Sequence, residues 1–368
     1  MRRAHQLHQP GEVRASLRSP QRAPFRAGHA TEDGGAGIRA PTVAADLHGA
    51  SVSPVNVDTR LQAGGVMAHE LEDVFREWAK PPSTTEDDRC ANAESVVRNA
   101  IRGYADFANR TIEVFAQGSY RNGTNVRTES DVDVCVRCMD VFFTEYPPGY
   151  TNASFGNSDS TYTYSQFKTD VGKALVNYLG ASAVSRGKKA FDLHENTYRV
   201  DADVVPTLEH RRYSVDNGKH SYLSGTELHP DDGGRIINWP HQNYENGTAK
   251  NRATGTRFKK LVRVLKRLRY EMLAAKIAAA TPIPSYLIEC LVWNTPNAAF
   301  AAADYAGNLR AILAHLYQST STDDGCSEWG EVNELKYLFR PAQPWTRAQV
   351  NGFILAAWTG RVSRRQRC

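Results

Sequence analysis

The chain has 368 residues, 41% hydrophobic and 23% charged, with a formal net charge of +5. That composition is ordinary for a folded protein, and so small a cation excess argues against a general nucleic-acid-coating role while leaving room for a focused basic patch that handles phosphates. No run approaches the roughly 20 apolar residues that span a bilayer, and the N-terminus has no apolar signal core. The six cysteines, at 90, 135, 138, 290, 326 and 368, show no framework spacing, so free thiols and a cytoplasmic location are expected.

Residues 1–66 mix Arg, Gly, Ala and Pro without a lasting period, which predicts a disordered leader and leaves open whether Met67 is the true start. From Met67, the residues Leu71, Val74, Phe75 and Trp78 recur at helical spacing. After a Pro-Pro turn, "TTEDDRCANAESVVRNAIRGYADFA" is acidic in its early turns and sets Val97, Ile101 and Tyr104 on one face, predicting a long helix. "TIEVFAQ" reads as a short strand. In "SDVDVCVRC", Asp131, Asp133, Cys135 and Arg137 face one way and Val132, Val134, Val136 and Cys138 the other. A polar, Tyr-rich segment over 145–165 precedes a helix over 165–180. "YRVDADVVPTLEH" is a second alternating strand, with Val200, Ala202 and Val204 opposite Asp201, Asp203 and Val205. From about 250 to Trp358 the chain reads as mostly helical, giving an α/β front half and a helical back half.

Carboxylates at i and i+2 on a strand share a face, with Cβ atoms about 7 Å apart. Beside a third carboxylate their repulsion asks for a cation, and such oxygen ligands suit Mg²⁺ held together with substrate phosphates. Asp131 and Asp133 supply the pair. A third acid comes from the later strand, where Asp201 and Asp203 share a face and spacing alone leaves both open. Gly118 and Ser119, a dozen residues ahead of the pair, offer what a phosphate needs: backbone that a ligand can approach and a donating hydroxyl. Asp-x-Asp or Gly-Ser alone would pass for a solvated strand or a surface turn; the ordered combination is what points to chemistry.

"QGSYRNGTNV…SDVDVCV" followed by "DADVVPT" resembles the nucleotidyltransferase signature of the polymerase-β-like superfamily. More narrowly, it is similar to the bacterial CD-NTases, relatives of animal cyclic GMP-AMP synthase and oligoadenylate synthase. The resemblance covers about residues 67–360. It implies an α+β, two-lobed nucleotidyltransferase fold: a catalytic core with a mixed sheet and an N-terminal long helix over 67–215, a helical lobe completing the nucleotide pocket over 216–360, and a basic tail over 361–368. It selects Asp203 over Asp201 as the third metal ligand beside Asp131 and Asp133, with Mg²⁺ (or Mn²⁺) as cofactor, and assigns Gly118 and Ser119 to the donor triphosphate.

In the back half, Phe258, Leu261, Val262, Leu265, Leu268 and Met272 form an apolar stripe flanked by Lys259, Arg263, Lys266 and Tyr270. By pattern alone that flank is a solvated basic face. The resemblance implies instead that Lys266 contacts substrate phosphates as a point charge. It also implies that, in "PSYLIECLVWNTP", Ser285 touches phosphate and Tyr286 stacks on a base, where simple packing of Tyr286 on an apolar helix is the plainer alternative. Cys135 and Cys138 make a C-x-x-C, but the strand sends them to opposite faces and no second pair has zinc spacing.

The function implied is a cyclic di- or trinucleotide second messenger, made from NTPs (ATP among them) with release of pyrophosphate, in bacterial anti-phage signalling through a separate effector. No DNA-sensing insertion is visible. A templateless linear oligoadenylate synthase, an RNA-tailing enzyme, and a degenerate nucleotide-binding module are the competing readings. A degenerate module usually loses one acid, and all three are present here.

Overall fold

The alternating stretch that begins at Asp131 runs through the middle of a mixed sheet. The computed structural model describes residues 5–6, 65–126 and 131–359; most of the expected leader and the expected basic tail lie outside the described residues. The described strands are β1 (His5–Gln6), β2 (Ile112–Ala116), β3 (Val132–Glu145), β4 (Ser158–Asp159), β5 (Val184–Arg186), β6 (Phe191–Leu193), β7 (Ala202–Asp216), β8 (Lys219–Leu228) and β9 (Ile236–Asn238). The described helices are α1 (Gly65–Trp78), α2 (Thr84–Arg102), α3 (Gly118–Asn122), α4 (Tyr164–Leu179), α5 (Pro240–Ala253), α6 (Arg257–Ala274), α7 (Ser285–Trp293), α8 (Tyr305–Ser319) and α9 (Arg347–Trp358).

β3 and β7 pair in parallel at the centre, with β2 antiparallel to β3, and with β6 and then β8 antiparallel along the other edge of β7. The period-two patterns set their faces. Val132, Val134, Val136 and Cys138 are buried together with Val200, Ala202 and Val204. Helices α2 and α4 cover them with Val97, Ile101, Phe167, Val171 and Leu175. Each such side chain taken from water contributes about 1.5–3 kcal/mol, so slipping β3 by one residue would bury its aspartates instead. Capping boxes start both covering helices: Ser83 with Glu86 for α2, Thr163 with Gln166 for α4.

The apolar stripe of α6 is buried along its whole length, against Leu287 and Leu291 of α7, Ile312 and Leu316 of α8 and Phe353 of α9. Phe75 and Trp78 of α1 pack on this helical cluster, their rings 5.7 Å apart, whereas Leu71 and Val74 of the expected apolar face are exposed. Tyr104 falls beyond the end of α2, before a 3₁₀ turn at Ala105–Phe107. The hairpin of β7 and β8 turns on Asn217 and Gly218, both at positive φ (49° and 75°). That is the backbone a two-residue hairpin loop requires.

Candidate active site

The parallel register sets Asp133 opposite Asp203, and the antiparallel register of β6 sets Asp192 on the other side of Asp203. Three carboxylates therefore cross three adjacent strands in one row, with Asp131 at the entrance of β3. Asp133 and Asp203 are half-buried; Asp131 and Asp192 are exposed. Crowding shows in their acidity. Burial and then the Asp131 charge push Asp133 up. Burial, then Asp133, then a hydrogen bond and charge from Asp192 push Asp203 up to about 6. Asp192 was not a sequence candidate, because a three-residue strand is too short to show alternation; only its register reveals it.

Asp201, the alternative third acid, is exposed, and its Oδ1 accepts the Glu195 backbone N–H. It closes the turn leading into β7, while its own carbonyl accepts the Val132 N–H at 3.1 Å. Between the two candidates, the structure brings Asp203 beside Asp133 and holds Asp201 in that turn.

Gly118 begins α3 just after β2. The Gln117 N–H donates to the Asp133 carbonyl at 2.8 Å, which ties the start of α3 to the strand that carries the acids. Gly118 has φ +63°, and a β-carbon there would collide with Asp133 Oδ2 and stand 3.1 Å from its Cγ. Glycine is thus required twice, by backbone and by space. Ser119 is half-buried, and its carbonyl accepts N–H groups from Thr124 at 2.9 Å and Asn125 at 3.2 Å.

The helical half departs from expectation at Lys266. Its side chain is only 3% exposed. Nζ donates to the Thr124 carbonyl at 3.1 Å and hydroxyl at 3.3 Å, with Glu289 Oε2 at 3.9 Å. Burial lowers its pKa. The flank of Lys259, Arg263 and Lys266 is therefore not a solvated face: Arg263 is buried too, donating to the carbonyls of Ala79 and Gly123. Lys266 fastens the chain behind Ser119 rather than offering a free ammonium to phosphate. Ser285 Oγ lies 2.9 Å from the Tyr270 hydroxyl. Tyr286 is half-buried against the helical cluster, and its hydroxyl, with one proton to donate, lies 3.0 Å from Glu331 Oε2 and 3.2 Å from Asn243 Oδ1.

Among the described residues no three His, Cys, Asp or Glu side chains form a preformed cation cluster. The half-buried Asp133 and Asp203, which repel each other, nonetheless fit a divalent cation that takes few protein ligands and completes its shell with phosphate oxygens. The five described cysteines are buried and free. No helix among the described residues is long and apolar enough to cross a membrane.

Residues 245–360 match the model of the cGAS/DncV-like nucleotidyltransferase C-terminal helical domain. A cyclic dipyrimidine nucleotide synthase, CdnE, of Legionella pneumophila is 45% identical over 295 residues, spanning 80% of this chain and 98% of the relative. The solved CdnE cyclic dinucleotide synthase of Elizabethkingia meningoseptica, bound to GTP and Apcpp, aligns with TM-score 0.65 at 34% identity over 78% of this chain and 97% of its own. The solved CdnE c-UMP-AMP synthase of Rhodothermus marinus, bound to Apcpp and Upnpp, aligns with TM-score 0.69 at 31% identity over 81% and 99%. This chain belongs to the CD-NTase family of nucleotidyltransferases. Enzymes of that family are generally metal-dependent.

Proposed function

We propose that this chain is a Mg²⁺-dependent cyclic dinucleotide synthase that takes pyrimidine NTPs. The observation that carries the reaction type is the adjacency of Asp133 and Asp203 in register, with Gly118 opened toward Asp133. The pyrimidine preference rests on the likeness to the Legionella pneumophila synthase, with ATP kept beside it because both solved relatives hold Apcpp.

In this reading Gly118 and Ser119 hold the donor triphosphate, and Asp131, Asp133 and Asp203 would hold the ions. Bound there, divalent cations lower the pKa of a ribose hydroxyl and neutralise charge on the leaving pyrophosphate. The protein's share is positioning. The hydroxyl oxygen attacks the donor α-phosphorus, the bond to the β-phosphate breaks, and pyrophosphate departs; a second such step closes the ring. Tyr286, whose hydroxyl is held beside Asn243 and Glu331, would be the residue that stacks on a base. The product would act as a second messenger in anti-phage defence through a separate effector.

The test is incubation with each radiolabelled NTP, and with pairs, in Mg²⁺ or Mn²⁺, followed by phosphatase and separation. Phosphatase-resistant product from UTP or CTP, absent for Asp131→Ala/Asp133→Ala, is expected. With the label at the α-phosphate, product that loses part of its label to phosphatase and then migrates differently would mean linear chains, label released entirely as phosphate would mean that no phosphodiester was made, and identical patterns from wild type and the double variant would remove the catalytic reading.

A further inference from the structure

A buried carboxylate links the two halves of the molecule directly behind Ser119. Glu289, on α7, is 2% exposed. Its Oε2 accepts the Thr124 hydroxyl at 2.7 Å, and its Oε1 accepts Asn122 Nδ2 at 3.1 Å and Asn243 Nδ2 at 3.2 Å. Thr124 is fully buried and also receives Lys266 Nζ on its carbonyl. Burying a carboxylate and an ammonium together is costly unless every lone pair and proton finds a partner. For stability alone, apolar residues of that size would serve as well. What the polar arrangement adds is a fixed geometry for residues 122–125, whose Thr124 and Asn125 N–H groups bind the Ser119 carbonyl at 2.9 and 3.2 Å.

We infer that Glu289 is a positioning residue for nucleotide binding: through Thr124 it sets the place of Ser119 and couples the triphosphate grip to the helical half. This rests on the assignment of Gly118 and Ser119 to the donor triphosphate. The carboxylates of β3 and β7 are held by strand pairing instead. Loosening the hub should therefore weaken nucleotide binding and leave the chemical step largely intact, which appears as a raised KM at nearly constant kcat.

The experiment compares steady-state product formation for wild type, Glu289→Gln, Thr124→Val, Thr124→Ser and Asp133→Ala, with the melting temperature of each. Thr124→Val keeps shape and removes the hydroxyl; Thr124→Ser restores it and remains informative if Glu289→Gln does not fold. The expected result is a KM for NTP raised about tenfold in Glu289→Gln and Thr124→Val, with kcat within about threefold of wild type, and KM returned to the wild-type range in Thr124→Ser. Folded variants with lowered melting temperature but unchanged KM would make Glu289 merely structural and overturn the inference. A wild-type rate matched by Asp133→Ala would instead remove the catalytic reading itself, so the two failures are distinct.

Discussion

Asp133 occupies the space that a side chain on Gly118 would need. The turn of Gly118 and Ser119 and the acidic strand thus meet without an intervening atom, and a hydrogen bond from the Gln117 N–H to the Asp133 carbonyl keeps them together. Gly118→Ala would bring a left-handed cost of about 1–2 kcal/mol and would push the Asp133 carboxylate aside. We expect folding to persist, with the melting temperature lowered by about 2–4 °C. Product formation should fall about 100-fold, as for a misplacement of an ångström at a reacting centre. A rate assay alongside a thermal melt separates the two effects.

Asp201 and Asp203 are two residues apart but differently held: Asp203 stands in β7 beside Asp133, and Asp201 accepts the Glu195 N–H in the turn before it. Asp203→Ala should abolish product. Asp201→Ala should lose one turn hydrogen bond, about 1 kcal/mol of stability, and still make product. Chromatography of the NTP reaction decides it; the reverse order of effects would transfer the third ligand to Asp201.

Lys266→Met tests the buried ammonium. Removing it leaves Glu289 without its nearby cation in a site where both side chains are 3% exposed. Breaking such a pair costs roughly 3–5 kcal/mol. Denaturant titration should show that loss; a surface lysine would show almost none.

Acid stability should depend on Glu145. Burial pushes its carboxyl up, but the His210 Nε2 3.5 Å away and the adjacent Arg212 outweigh it and bring the pKa to about 2, against an ordinary 4.5. A group whose pKa is lowered on folding stabilises the fold above its unfolded value. That stability is lost as pH falls from about 4.5 to about 2. His210, raised above 6.5, stays charged throughout that window. Glu145→Gln should therefore melt below wild type at pH 7, with the difference closing as pH approaches 2; a constant difference would assign the effect to packing.

Much of the site was legible because it lies on alternating strands. The period of two at Val132–Cys138 and Val200–Val204 separated core from acids, and the Gly-Ser spacing placed a glycine turn beside them. The fate of Lys266 was not legible, because helical periodicity tells which residues share a face and not what covers it. The loop of Gly123 and Thr124, together with Ala79, covers the basic flank of α6. Asp192 was hidden for a different reason: its place beside Asp203 comes from pairing with a distant strand. The Asn217–Gly218 hairpin carries its own sequence signal, an Asn-Gly between polar strand residues.

Asp133 and Asp203 are immediate neighbours in the sheet yet seventy residues apart along the chain, because β3 and β7 are parallel and need a long crossover. Contacts of such high sequence separation close late, after the entropy of a large loop has been overcome. During synthesis, a ribosome-bound chain holding Gly118, Ser119, Asp131 and Asp133 still lacks its third acid. With Asp203 as the proposed third ligand, the reaction waits until β7 has emerged and docked on β3.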